Sequence, residues 1–146
     1  MFKKMLILFC CFAALTAQAG NRTTEGLTEA EQLGITAGTA LACNAGSRLD
    51  DFELIASRLI ANKAPTEEAE QADYRAYAEA KFNAYREQRS DPQETCGGVL
   101  DSFNNLPIFR SIVYADGSVK MYDGSYLRPK RPVSKPAVNK LNSAKK

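Results

Sequence analysis

The chain has 146 residues, four cysteines and no histidine, and its formal net charge is +2. This length suffices for one domain with a modest core. The lack of histidine removes the commonest general base and metal ligand. We therefore expect a non-catalytic protein with no cofactor and no metal.

The N-terminus has the three parts of a secretory signal peptide. Lys3 and Lys4 precede an apolar run over residues 5–15, and a small-residue cleavage site ends at Ala19. The run is shorter than the roughly 20 residues that a membrane-spanning helix needs. We expect residues 1–19 to be removed and the protein to be periplasmic or secreted, with an uncleaved anchor as the alternative.

Cleavage would leave two cysteines, Cys43 and Cys96, in an oxidising compartment. Two cysteines there favour one disulfide. A metal site is the alternative, but it would need further ligands where no histidine is available. A crosslink that closes a loop of 53 residues is expected to stabilise the fold by about 4 kcal/mol.

The first helix is predicted to follow a flexible start over residues 20–27. Thr28 and Glu31 have the spacing of a capping box, and the helix should end near residue 44. Small residues recur at every fourth position, which favours close helix packing over the alternative, an oligomer interface. This helix-packing stripe consists of Gly34, Gly38, Ala42 and Gly46.

Two further helices follow. Asp50 or Asp51 should begin the second, and we interpret both carboxylates as solvated caps rather than a catalytic pair. Its predicted core residues are Phe52, Ile55, Ala56 and Leu59.

Thr66 should cap the third helix, over residues 67–88. This helix carries a second small-residue stripe that is expected to meet the first, and three tyrosines that favour a core edge over a ligand-binding patch. The stripe is Ala69, Ala72, Ala76, Ala80 and Ala84, and the tyrosines are Tyr74, Tyr77 and Tyr85.

The fourth helix is predicted to start with Asp91 as cap and Pro92 in the first turn. It would carry Cys96 and core residues Val99, Leu100 and Phe103. The fold class is therefore mainly α: a four-helix domain with one disulfide over residues 28–107.

Over residues 108–127, the spacing of apolar residues changes from that of a helix to the alternation of β-strands. Asp116 and Gly117 predict a two-residue turn that pairs Ala115 with Ser118. This register would place four apolar side chains on one face, and a further Asp-Gly turn allows a third strand over 125–127. The four are Ile112, Tyr114, Val119 and Met121.

The last segment, residues 128–146, has seven basic residues, three prolines and no acid, whereas residues 20–127 have 17 acidic and ten basic residues. Such a tail is expected to be disordered by itself. It serves either solubility or attraction to an anionic surface. Nucleic acid is not expected, since aromatic residues for base stacking are missing from the tail.

Three functional hypotheses follow. The first is an exported, non-catalytic interaction module that presents the hairpin and basic arm to an envelope protein. The second hypothesis depends on three features of the sequence. These are Cys43 in the first helix, a later helix rich in alanine and tyrosine, and Cys96 in the last helix. This layout, over residues 33–103, resembles small periplasmic helical immunity proteins, which implies inhibition of a secreted toxin. The third is a small carboxylate-dependent hydrolase. The predicted partner-binding residues are Ile112, Tyr114, Val119, Met121, Arg128, Lys130 and Arg131.

Overall fold

A computed structural model describes residues 26–132, which form four helices followed by a small antiparallel sheet. The predictions for the signal peptide, for residues 20–25 and for residues 133–146 lie outside the described residues. The elements are α1 (Glu29–Ala42), α2 (Ser47–Lys63), α3 (Glu67–Ser90), α4 (Cys96–Asn104), a short 3-10 helix (Pro107–Arg110), β1 (Ile112–Val113), β2 (Val119–Lys120) and β3 (Tyr126–Leu127).

The predicted fold class is confirmed, and so is the capping box of α1. The Thr28 hydroxyl oxygen accepts a hydrogen bond from the Glu31 N–H at 3.2 Å, and the Glu31 carboxylate accepts one from the Thr28 N–H at 2.7 Å. The helix ends earlier than predicted, because Asn44 adopts a left-handed conformation with φ 59°.

The α1 and α3 helices approach closely at Gly34 and Gly38. A Cβ atom added to Gly34 would lie 2.9 Å from the Ala80 Cβ, and one added to Gly38 would lie 3.0 Å from the Ala84 Cβ. The added atoms would also overlap backbone carbonyl oxygens of α3, those of Tyr77 and Lys81. The two small-residue stripes therefore meet at these positions.

Both stripes are shorter than predicted. Gly46 does not belong to α1; it caps α2 with φ 61°, a conformation that favours glycine, and no atom would lie within 4 Å of its added Cβ. On α3, Ala84 is buried whereas Ala72 is exposed.

The α2 helix begins at Ser47, so the prediction that Asp50 or Asp51 caps it was wrong. Both carboxylates lie exposed inside the helix. The reason is that Gly46 turns the chain directly into α2 after a short connection. The predicted core residues of α2 are all buried: Phe52, Ile55, Ala56 and Leu59.

Aromatic rings form the centre of the core between α2, α4 and the 3-10 helix. The Phe52 ring lies 5.4 Å from Phe103 and 6.2 Å from Phe109, measured between centroids. Arg48 covers the outer side of the Phe109 ring at 3.8 Å. Offset ring pairs of this kind add to the free energy of burial.

The start of α4 was predicted wrongly, whereas the disulfide prediction is confirmed. Asp91 caps the end of α3 rather than starting α4, and Thr95 is the cap of α4. Cys96 is thus the first residue of α4, and its disulfide with Cys43 joins two Cα atoms 5.1 Å apart. The bond ties the end of α1 to the beginning of α4.

Two tyrosines of α3 bind α2 through their hydroxyl groups. The Tyr74 hydroxyl donates to the Ser57 carbonyl oxygen at 2.9 Å, and the Tyr77 hydroxyl donates to Glu53 at 3.4 Å. Burial, followed by the charge of Glu53, raises the pKa of Tyr77 far above its usual range. The Tyr77 ring thus packs against the core as predicted, whereas the Tyr74 ring is exposed. Both hydroxyls contact protein.

Within residues 26–132, no helix combines the length and the apolar character needed to cross a membrane.

Candidate functional site

The sheet owes its shape to two turns with the same sequence, Asp-Gly-Ser. In the first, Asp116 Oδ1 accepts from the Ser118 N–H at 2.9 Å and from its hydroxyl at 2.6 Å. In the second, Asp123 Oδ1 accepts from the Ser125 N–H and hydroxyl at 2.8 and 2.6 Å. The hydroxyl bond and then the N–H bond lower the pKa of both carboxyl groups. Both turns are therefore fixed by ionised aspartates.

The turn type makes the predicted hairpin register wrong by one residue. Gly117 has φ 85°, and its N–H donates to the Tyr114 carbonyl oxygen at 2.9 Å. The loop therefore has three residues, as in a type I turn followed by a left-handed glycine. Ile112 pairs with Lys120 and Val113 with Val119, instead of Ala115 with Ser118.

The inner face of the sheet packs on the helical domain. Val119 is 0% exposed, and its pairing partners Val113 and Leu127 lie on the same face. Asn62 of α2 is buried and donates hydrogen bonds to the carbonyl oxygens of Gly117 and Leu127, at 3.0 and 3.4 Å. These bonds hold the sheet at a fixed position on α2.

The outer face presents aromatic and aliphatic side chains to solvent. Ile112 is 52% exposed, Tyr114 40% and Tyr126 46%. The rings of Tyr114 and Tyr126 lie 5.7 Å apart and cover Ser118, whose hydroxyl oxygen is 2.8 Å from the Tyr126 hydroxyl. A surface of exposed rings on a fixed sheet is typical of interaction sites.

Cations border this outer face. Lys120 lies between Ile112 and Tyr126 in the pairing, and Arg128 lies 5.5 Å from the centre of the Tyr126 ring. Cations near aromatic rings are stabilised by the ring quadrupole. We call this surface the aromatic face and define it as Ile112, Tyr114, Lys120, Tyr126 and Arg128.

The structure divides the predicted partner-binding set. Ile112, Tyr114 and Arg128 belong to the aromatic face, whereas the inclusion of Val119 was wrong because this side chain is buried. Met121 is half-buried, and its sulfur lies 3.9 Å from the Ser111 hydroxyl oxygen.

The other two predicted cations contact the helical domain. Lys130 donates to the carbonyl oxygen of Lys63 at 2.9 Å, and Arg131 forms an ion pair with Glu70. Residues 128–132 thus follow the domain surface, whereas the sequence predicted that the free arm starts at 128.

Sequence reasoning missed two members of the aromatic face, Lys120 and Tyr126. The signal was the serine after each Asp-Gly pair: its N–H and hydroxyl both bond the aspartate, which favours a three-residue loop and shifts the register by one.

The aromatic face offers packing surface and positive charge. Asp116, in the turn beside this face, accepts a hydrogen bond from the Ser118 hydroxyl. Within residues 26–132, no group of three or more cysteine, aspartate or glutamate side chains could hold a metal ion. Comparison with known proteins adds no relative, since no family model, curated protein or solved structure matches the chain.

Proposed function

We propose that this protein is an exported, non-catalytic interaction module of the cell envelope, and that the aromatic face binds a partner protein. The carrying observation is the exposure of Ile112, Tyr114 and Tyr126 together on a sheet whose other face is buried. Tyrosine and arginine are enriched among residues that dominate binding energy, and Tyr126 and Arg128 are in contact here.

The charge on the aromatic face favours a partner with an acidic rim. Lys120 and Arg128 would accelerate association with such a partner through long-range attraction, and this effect weakens as salt rises. The disulfide between Cys43 and Cys96 is compatible with an oxidising compartment outside the cytosol.

Site-specific photocrosslinking tests this proposal. A photoreactive residue at position 112 should give one discrete adduct with an envelope protein, whereas the same residue at exposed position 51 on α2 should give none. The double substitution Lys120→Glu and Arg128→Glu should abolish the adduct, with helical content by circular dichroism unchanged. Equal adduct patterns at 112 and 51, or an adduct that survives the charge reversal, would refute the proposal.

A second candidate is an inhibitor of a secreted toxin whose helical domain makes the contact. Phe82 on α3 favours it, because this ring is 59% exposed and has the Arg86 guanidinium 5.6 Å from its centre. Here a photoreactive residue at position 82 should give the adduct, and position 112 should give none.

A further inference from the structure

An open groove lies between α2, the first half of α3 and the segment 129–132. Its volume is about 570 Å³, within the range of roughly 300–1,000 Å³ that is usual for small-molecule sites. Apolar parts of its wall come from Ala61, the Tyr74 ring, Pro129 and Pro132. None of these residues belongs to the aromatic face.

Arg58 of α2 lines this groove and is half-buried. Its Nε atom is inaccessible to solvent and has no hydrogen-bond partner. Among the residues that the structure describes, no carboxylate forms an ion pair with Arg58. A buried donor without a partner is costly. Within residues 26–132, the Arg58 guanidinium thus has no carboxylate partner.

The other charges of the groove leave an excess of cations. Arg131 is neutralised by Glu70, and Glu67 lies at the first position of α3, where the helix dipole favours an acid. Lys130 donates a hydrogen bond to a neutral carbonyl oxygen, that of Lys63, and this partner does not offset the positive charge of Lys130. Among the described residues, three cations therefore line the groove against two carboxylates, one of which is paired with Arg131.

We propose that this groove binds a small organic anion: a carboxylate or phosphate group attached to an apolar or ring-shaped body. The terminal nitrogens of Arg58 would hold the anionic group, since a guanidinium matches the geometry of both oxyanions. Lys130 would contribute a second charge, and Gln71 an amide donor. Tyr74 provides an apolar wall, because its hydroxyl proton is already donated to Ser57.

Binding is measured on the full chain by nuclear magnetic resonance at low salt, with benzoate, phenyl phosphate and inorganic phosphate as probes. The Arg58 Nε–H signal reports directly on the groove. We expect benzoate or phenyl phosphate to shift this signal with saturation and to bind more tightly than inorganic phosphate, which lacks the apolar body. The two aromatic probes distinguish a carboxylate ligand from a phosphate ligand.

Variants distinguish a built site from general attraction to a basic surface. Arg58→Met should weaken the affinity for the tighter-binding probe by about tenfold or more, which is the effect of losing a charge-assisted hydrogen bond. Lys130→Met removes an exposed charge and should weaken the affinity for the same probe by a smaller factor. The matched control, Arg75→Met on the exposed part of α3, should leave the affinity unchanged.

Two results would overturn the proposal. One is a failure of both aromatic probes to give a saturable shift in the wild-type chain. The other is equal weakening by Lys130→Met and Arg75→Met, a comparison that holds even if Arg58→Met does not fold. Crosslinking at position 112 is independent of the groove, so failure here would leave the proposed function standing.

Discussion

Gly34 and Gly38 set the distance between α1 and α3. At both positions the backbone of α3 occupies the space where a side chain would begin, so the contact is between main chains. Glycine costs about 1 kcal/mol in a helix relative to alanine. The close packing of the two helices must offset that cost, which makes the pair of glycines a structural requirement.

Gly38→Ala is predicted to destabilise the protein by about 2 kcal/mol. The added methyl group would overlap the Lys81 carbonyl oxygen and lie 3.0 Å from the Ala84 Cβ, so one helix must move. Overpacking of this kind costs about 1–3 kcal/mol, and the gain in helix propensity recovers only a part. Urea unfolding followed by circular dichroism measures the difference.

The matched control is Gly97→Ala in α4. An added Cβ there would meet only the Thr95 hydroxyl oxygen, at 4.0 Å, so the substitution should be neutral or slightly stabilising. If Gly38→Ala unfolds at the same urea concentration as Gly97→Ala, the close approach of α1 and α3 is not a constraint on the fold.

At the scale of single elements, the sheet depends on its two Asp-Gly-Ser turns. Each strand has only two residues in the ladder, so strand pairing alone is too short to fix the register. The aspartates add two hydrogen bonds per turn, and these are strongest when the carboxyl group is ionised. The register is thus specified mainly by turn chemistry.

Acid should loosen these turns before it affects the helices. The folded-state pKa values of Asp116 and Asp123 are lowered, so their contribution to stability is present above the unfolded-state pKa and disappears as pH falls through the folded-state pKa. The amide signals of Ser118 and Ser125 should therefore titrate together below the ordinary aspartate range. Circular dichroism at 222 nm should change little over the same interval.

Asp116→Asn provides the control, because the amide oxygen still accepts the two bonds but cannot be protonated in this range. Its Ser118 signal should become independent of pH while that of Ser125 continues to titrate. A Ser118 titration that is unchanged in the variant would show that another group causes it.

Periodicity and caps predicted the helical elements because these signals are local. Thr28 and Thr66 cap their helices through side-chain bonds to residues three positions later. Local signals failed where two nearby residues could each cap the same helix. Asp91 and Pro92 resemble a helix start, but Asp91 ends α3, and Thr95 takes the cap of α4.

The candidate site was predicted only in part, because two turn types were compatible with the same short sequence. A two-residue turn and a three-residue turn differ by one position, and this shift exchanges the faces of β2. Lys120 therefore points outward where Val119 was expected. The contacts of Lys130 and Arg131 join positions more than 60 residues apart, so no local pattern could reveal them.

At the scale of the whole molecule, the disulfide and the aromatic core hold α4 against the rest. Cys43 is buried and Cys96 is exposed, so the bond runs from the core edge to the surface. Val99 and Phe103 are the buried residues of α4, and the Phe103 ring contacts Phe52 independently of the sulfur atoms. The crosslink therefore restricts the unfolded chain more than it shapes the folded one.

Replacement of both cysteines by alanine, Cys43→Ala with Cys96→Ala, is predicted to lower the free energy of unfolding by about 4 kcal/mol, because the loop of 53 residues is no longer closed in the unfolded state. The folded variant should keep its helical content, since Phe103 still packs on Phe52. Urea unfolding of the wild type, with and without reductant, should give the same difference as the double variant. An unchanged unfolding midpoint in both comparisons would mean that the crosslink does not contribute to stability, and the core alone would then have to account for the position of α4.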